Sequence, residues 1–200
     1  MDEERALVRR ALAGDEEAFA GLVRAFRTPV YNLCYRMLGT AMEAEEAAQE
    51  TFLRAYRRLH TYDATQKLSS WMLAIAAHYC VERLRRRRLP CLPIDEAPAS
   101  ALQAQGVEGA PEQDLLERER EHEIQALLAR LPQTYRMVIV LRYWQDMSYE
   151  EMAQMLGTTE SAIKSRLHRA RELLAVHLTQ ERPAPMPGRL ERSVAGHALP

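Results

Sequence analysis

Apolar residues recur at intervals of three and four along most of the chain, the spacing that places them on one side of an α-helix. This pattern predicts an almost wholly helical protein. The predicted helices are Phe19 to Phe26, Val30 to Leu38, Ala47 to Leu59, Trp71 to Leu84, Leu115 to Leu131, Thr134 to Tyr143, and two more between Ser148 and Leu174. Breaks are predicted at Pro29, Gly39, the turn Thr61 to Gln66, Pro90 and Pro132.

The segment Ser148 to Leu174 has the layout of a helix, a tight turn and a second helix. Its first residue and Glu151 have the spacing of a capping box, so the first helix is predicted to begin just after the serine. Gly157 can take the left-handed conformation that ends this helix, and Thr158 or Thr159 can cap the next one. The layout is typical of a DNA-binding helix-turn-helix.

The second helix of this unit has two contrasting faces. One is apolar and is predicted to be buried; it consists of Ile163, Leu167, Ala170 and Leu174. The other carries positive and hydroxyl side chains, namely Lys164, Ser165, His168, Arg169 and Arg171. Such donors fit a DNA groove, whose walls are phosphates and whose floor carries base acceptors. A solvated basic helix face is the plain alternative.

A long helix from Ala41 to His60 is predicted to open on a second capping pair, Thr40 and Glu43. Its inward face is predicted to consist of Ala48, Phe52, Ala55, Tyr56 and Leu59. An outward acidic side is formed by Glu43, Glu46, Gln49 and Glu50. Acids near a helix N-terminus stabilise the helix dipole, so this side is either structural or a docking surface for a basic partner.

The next predicted helix ends in a run of five arginines between Arg83 and Arg88. Aromatic residues precede it in the chain: Tyr56, Tyr62, Trp71 and Tyr79. Positive charge holds a nucleic-acid backbone and aromatic rings stack on bases, so this composition suits single-stranded nucleic acid. The alternative is that Trp71 and Tyr79 are core residues.

Composition divides the chain of 200 residues into segments. The net charge is only −1, but residues 91–123 hold nine acidic and two basic side chains. Prolines, glycines and acids without periodicity are typical of a linker. We therefore predict an all-α protein with an N-terminal domain at 1–90, a flexible acidic linker at 91–114, a helix-turn-helix domain at 115–178, and a disordered tail at 179–200.

Several functional classes are disfavoured. The N-terminus lacks the apolar core of a signal peptide, and no apolar run approaches the roughly 18 residues of a membrane span, which predicts a soluble intracellular chain. The three cysteines form no CxxC pair; Cys34 is predicted to be buried, and Cys91 is the one candidate for redox chemistry. Neither a metal site nor a catalytic motif is indicated, so we expect no cofactor and no enzyme.

Two blocks of the sequence together resemble the extracytoplasmic-function (ECF) sigma factors of bacterial RNA polymerase. In the first block, EAEEAAQETF (Glu43 to Phe52) is similar to the polymerase-binding helix of the family, and LHTYDATQKLSSWM followed by the arginine run is similar to its strand-opening region. In the second block, LPQTYRMVIVLRYWQDMSYEEMAQMLG (Leu131 to Gly157) and AIKSRLHRARELL closely resemble its promoter-reading domain.

The resemblance implies a subunit that binds core RNA polymerase and directs promoter-specific initiation in the cytoplasm, with an anti-sigma protein as a further partner. It implies polymerase contacts at Glu46, Gln49 and Glu50. It implies recognition of the minus-thirty-five duplex by Lys164, Ser165, Arg166, His168, Arg169 and Arg171. Unpaired bases of the minus-ten element would be held by Tyr62, Asp63, Lys67, Ser69, Ser70, Trp71 and Arg83.

Two alternatives stay open on the sequence. One is a free-standing helix-turn-helix regulator that binds duplex DNA without polymerase. The other is a helical adaptor whose basic faces bind acidic proteins. Promoter-dependent transcription with added core polymerase separates the sigma-factor hypothesis from both.

Overall fold

The structure, a computed structural model, describes residues 2–88 and 112–181 and contains no β-strand within them. Its elements are α1 (Asp2–Leu12), α2 (Glu16–Leu38), α3 (Ala41–Arg58), a 3-10 turn (Leu59–Thr61), α4 (Leu68–Arg88), α5 (Glu112–Arg130), α6 (Gln133–Tyr143), α7 (Tyr149–Met155) and α8 (Glu160–Glu181). The predicted all-α class is therefore confirmed.

Helix α2 is the centre of the first helical group, in which it packs against α1, α3 and α4. The Asp15 side chain caps its start by accepting from the Ala18 N–H at 3.0 Å. The predicted break at Pro29 is wrong, because α2 continues through it. Phe26 and Val30 are both buried in the core on either side, and this packing outweighs the loss of one backbone donor at the proline.

Helix α3 begins where the sequence predicts, since Thr40 accepts from the Glu43 N–H at 3.3 Å. Two side-chain positions on it were predicted wrongly. Glu43 is buried, because the Thr40 hydroxyl and two arginines of α4 contact its carboxylate. Tyr56 is exposed and packs edge-to-face on Phe19 of α2, with ring centroids 4.9 Å apart.

Helices α6, α7 and α8 pack together as a helix-turn-helix unit. Ser148 and Glu151 form both hydrogen bonds of a capping box at the start of α7. Gly157 has a positive φ of 58°, and Thr159 caps the next helix by accepting from the Ala162 N–H at 3.2 Å. The apolar face of α8 is buried at Ile163, Leu167 and Ala170, and Leu174 is half-buried. The predicted caps, the turn and the buried positions Ile163, Leu167 and Ala170 are therefore confirmed.

The two helical groups contact each other around the last turn of α2. Gln125 of α5 donates to the Tyr35 carbonyl at 3.0 Å, and Arg136 of α6 donates to the Met37 carbonyl at 2.6 Å. The Arg36 guanidinium donates to a Glu121 carboxylate oxygen at 2.8 Å. The contacts are polar but largely buried, so each group supplies hydrogen bonds that the other needs.

The domain boundaries remain predictions. Helix α5 begins at Glu112, so the last three residues of the predicted linker are helical, and α8 extends three residues into the predicted tail. The rest of the linker, the break at Pro90, Cys91 and the tail beyond Glu181 lie outside the described residues. Cys34 is buried, as predicted.

We predict that Arg136→Met lowers the free energy of unfolding by about 3 kcal/mol, because it removes the donor from the buried carbonyls of Met37 and Leu131 and from the partly buried carbonyl of Ala129. Chemical denaturation measures this change. Arg27→Met, at an exposed position of α2, is the control and is expected to change the free energy by less than about 0.5 kcal/mol. Equal losses in the two variants would contradict the role of Arg136.

Candidate nucleic-acid and protein interfaces

The outer face of α8 presents a row of basic and hydroxyl side chains to solvent. Because Ile163, Leu167 and Ala170 are buried in the core, the opposite face of the helix is the one exposed to solvent. The exposed side chains are Lys164, Ser165, His168, Arg169 and Arg171. The structure therefore brings these predicted residues together on one surface, whereas Arg166 is half-buried beside it.

Two tyrosines that the sequence interpretation missed hold parts of this surface. The Tyr143 hydroxyl accepts from Arg171 Nε at 3.0 Å, and the Tyr149 ring lies 5.6 Å from Lys164 Nζ. Aromatic rings attract cations and restrict their side-chain rotamers. The sequence feature that could have revealed them is their position, because Tyr143 ends α6 and Tyr149 begins α7, the helix that precedes α8.

Acids on α8 partly neutralise the row but do not bind it firmly. Lys164 Nζ lies 3.5 Å from Glu160, and His168 Nε2 lies 3.3 Å from Glu172. All four side chains are about half exposed or more, and exposed pairs of this kind contribute about 0–1 kcal/mol. A phosphate backbone can therefore displace these acids at little cost.

The loop between α3 and α4 has a defined shape. The Tyr62 and Trp71 rings lie 5.4 Å apart, and the Tyr62 hydroxyl donates to the Gln66 carbonyl at 2.7 Å. The Asp63 carboxylate accepts from the Thr65 N–H at 2.9 Å, and this backbone hydrogen bond lowers the pKa of Asp63. Asp63 thus shapes the turn, while the Tyr62 ring in the loop and the Trp71 ring in the first turn of α4 form a tilted pair. Trp71 is only half-buried against the core.

Lys67 in this loop contacts the helix-turn-helix unit. Its ammonium lies 2.6 Å from Glu151 Oε1, and it lowers the pKa of that carboxylate together with the Ser148 N–H. A cleft of about 770 Å³ lies between the loop and α7. Ser70 lines this cleft, and Ser69 lines a neighbouring one of about 290 Å³. The predicted loop residues are therefore close together, but Lys67 already has an acidic partner.

Arg83 lies within an ion-pair network between α3 and α4. Its Nη2 is 2.8 Å from Glu46 Oε2, and its Nη1 donates to the Tyr79 hydroxyl at 3.3 Å. Arg54 bridges Glu50 at 2.7 Å and Glu82 at 3.3 Å. The structure thus joins Arg83, predicted to contact DNA, to Glu46, predicted to contact the polymerase.

A stripe on α3 combines two of the three predicted polymerase contacts with apolar residues that were missed, while Glu50 lies half-buried beside it. Its members recur at spacings of four, three, four and three, and all are exposed: Met42, Glu46, Gln49, Leu53 and Tyr56. This is the spacing of the contact seam in a coiled coil. The spacing is visible in the sequence, although the sequence pattern predicts that Tyr56 lies on the inward face. We call these five residues the α3 stripe.

Residues 2–88 and 112–181 contain no group of three or more histidine, cysteine, aspartate or glutamate side chains that could hold a metal ion. No helix in these ranges is long and apolar enough to cross a membrane.

Two family models match the chain. The model for sigma-70 region 2 matches residues 22–89, and the model for sigma-70 region 4 matches residues 121–174. The first match covers α3, the loop and α4, and the second covers the helix-turn-helix unit.

Known proteins resemble the chain over most of its length. The ECF RNA polymerase sigma factor SigW of Bacillus subtilis is 36% identical over 179 residues, which cover 86% of this chain and 94% of SigW. The solved structure of CnrH with the cytosolic domain of CnrY gives a TM-score of 0.67 at 23% identity, covering 90% of this chain and 99% of CnrH. The sigma factor RpoE of Bartonella quintana, solved with the anti-sigma factor NepR, gives 0.61 at 21% identity, covering 82% and 98%. At these identities the structures support the fold alone.

Proposed function

This chain belongs to the extracytoplasmic-function sigma factors of the sigma-70 family, and from that membership we propose which of its surfaces carries out each step of promoter recognition. As a sigma factor it directs RNA polymerase to initiate transcription at specific promoters. Its relatives are not enzymes, and we propose that it too acts by binding rather than by bond chemistry. The alternatives of a free-standing regulator and an adaptor are set aside by the family.

We propose that the exposed row on α8 reads the minus-thirty-five duplex. The observation that supports this most directly is the burial of the opposite face, which leaves five polar side chains on one accessible surface. Lys164 and Arg171, supported by Tyr149 and Tyr143, are suited to phosphate contacts, which set the register of a helix on DNA. Arg169 is suited to a phosphate contact as well, and Ser165 can reach base edges in the major groove.

We propose that the α3 stripe docks on core polymerase. An exposed seam with coiled-coil spacing fits a helical partner, and Leu53 at 51% exposure supplies apolar surface that water otherwise covers. Glu46 and the half-buried Glu50 add negative charge, which suits a basic partner surface.

We propose that the loop holds unpaired bases of the minus-ten element. Flipping a base out of the duplex costs a few kcal/mol, and stacking on the Tyr62 and Trp71 rings offsets this cost. Ser69, Ser70 and Asp63 supply hydrogen-bonding groups around the rings, and Lys67 gains access to a phosphate once it leaves Glu151.

We further propose an anti-sigma protein as a partner and the cytoplasm as the place of action. The first proposal is supported by the RpoE structure, which contains the anti-sigma factor NepR. The cytoplasmic location is supported by the function, because a sigma factor must bind RNA polymerase where transcription takes place.

Arg169→Ala is expected to weaken binding to promoter duplex and to reduce the salt slope, d log K/d log[salt], by about 1, because one phosphate-facing cation is lost. A fluorescence titration at several salt concentrations measures both. Arg27→Ala, on α2, is the matched control. Unchanged affinity of the Arg169 variant at every salt concentration would remove this residue from the reading face.

Charge reversal by Glu46→Lys with Glu50→Lys is expected to abolish co-purification with core polymerase and run-off transcription. Leu53→Ser is the sharper variant, because it weakens the same α3 stripe without touching an ion pair, and it is expected to reduce both readouts. Leu12→Ser, at 50% exposure on α1, is the matched control and should leave both unchanged. Full assembly with the Leu53 variant and the reversal pair would mean that α3 is only structural.

A further inference from the structure

We propose that polymerase docking and capture of single-stranded DNA are coupled through one ion pair, Glu46 with Arg83, so that polymerase bound at Glu46 releases Arg83 for DNA. This inference rests on the proposed function, which assigns Glu46 to the polymerase, and on the family resemblance, which implies that Arg83 contacts DNA. It adds that each of the two residues neutralises the charge of the other while they are paired, which weakens the attraction of both for their partners.

The geometry places the two side chains in competition with any outside partner. Arg83 Nη2 lies 2.8 Å from Glu46 Oε2, and its Nη1 is occupied by the Tyr79 hydroxyl at 3.3 Å. The Arg83 side chain is 30% exposed. A DNA phosphate therefore competes with Glu46 for the charge of this guanidinium, and a basic group of the polymerase competes with Arg83 for the carboxylate of Glu46.

The neighbouring ion pairs determine which acid can separate from Arg83 when a partner binds. Glu43 also lies near Arg83, at 3.6 Å, but its side chain is only 10% exposed and Arg87 contacts it as well. The Glu46 side chain is 52% exposed and lies in the α3 stripe. Glu46 is thus the acid that a basic partner can contact. The hydrogen bond to the Tyr79 hydroxyl keeps Arg83 on the surface of α4 when Glu46 is released.

Thermodynamic linkage predicts that polymerase and DNA each raise the affinity of the chain for the other. If the polymerase removes Glu46 from Arg83, then the chain bound to polymerase holds DNA more tightly than the free chain, and DNA strengthens polymerase binding by the same factor. Exposed ion pairs correspond to an effect of about two- to fivefold. The device favours DNA capture after assembly and disfavours DNA binding by the unassembled subunit.

The test uses the full chain and a short fluorescent single-stranded DNA pool of random sequence. Glu46→Gln should raise the affinity for this DNA by about two- to fivefold, because it frees Arg83. Glu45→Gln is the matched control: it removes the same charge from the same turn, and Glu45 forms no ion pair within the described ranges. The gain beyond this control should disappear when Glu46→Gln is combined with Arg83→Gln.

The reciprocal arm measures affinity for core polymerase. Arg83→Gln should raise it by a similar factor, because it frees Glu46, whereas Arg85→Gln, at an exposed arginine two residues away, should not. Equal DNA affinities for the Glu46 and Glu45 variants, or a gain that survives loss of Arg83, would overturn the coupling and leave the proposed function intact. Absence of DNA binding by every variant would instead count against the assignment of the N-terminal surfaces, and the coupling with it.

Discussion

The carbonyl groups at the end of α2 must find hydrogen-bond donors in a place that water does not reach. A helix cannot satisfy all of its last carbonyls, and here Gln125 and Arg136 of the second helical group donate to those of Arg36 and Met37, while the Tyr35 carbonyl accepts from both Gly39 and Gln125. A buried carbonyl without a donor is costly, so this requirement holds the two groups together. It also positions α7 beside the loop between α3 and α4, where Glu151 meets Lys67.

Within each group, burial of one helix face decides which side chains a partner can meet. Ile163, Leu167 and Ala170 turn the basic row of α8 outward, and buried alanines of α3 turn its stripe outward. The buried face of each helix thus determines its orientation. The exposed side chains need only weak local contacts, such as the hydrogen bond from Arg171 to Tyr143. Because buried residues fix the orientation of each helix, exposed charged side chains can form specific binding surfaces on a small helical protein.

Features that depend on neighbouring residues could be predicted from the sequence, and those that depend on distant ones could not. The capping box of α7 and the turn at Gly157 involve residues at most a few positions apart, and both were predicted correctly. Pro29 has a strong local preference to end a helix, but packing of its neighbours overrides it. The pairing of Arg83 with Glu46 spans 37 positions and has no local signal. For the same reason, a helical projection placed Glu43 in solvent. The roles of the individual site residues remain predictions.

The central claim is that α3 faces the polymerase while α8 faces promoter duplex. Photocrosslinking in the assembled initiation complex tests it most directly, with a photoreactive amino acid placed in turn at Leu53 and at Ser165. We predict that the probe at Leu53 crosslinks to a core polymerase subunit and that the probe at Ser165 crosslinks to the minus-thirty-five duplex. Crosslinks from Leu53 to DNA, or none from Ser165 to DNA in an active complex, would contradict this account.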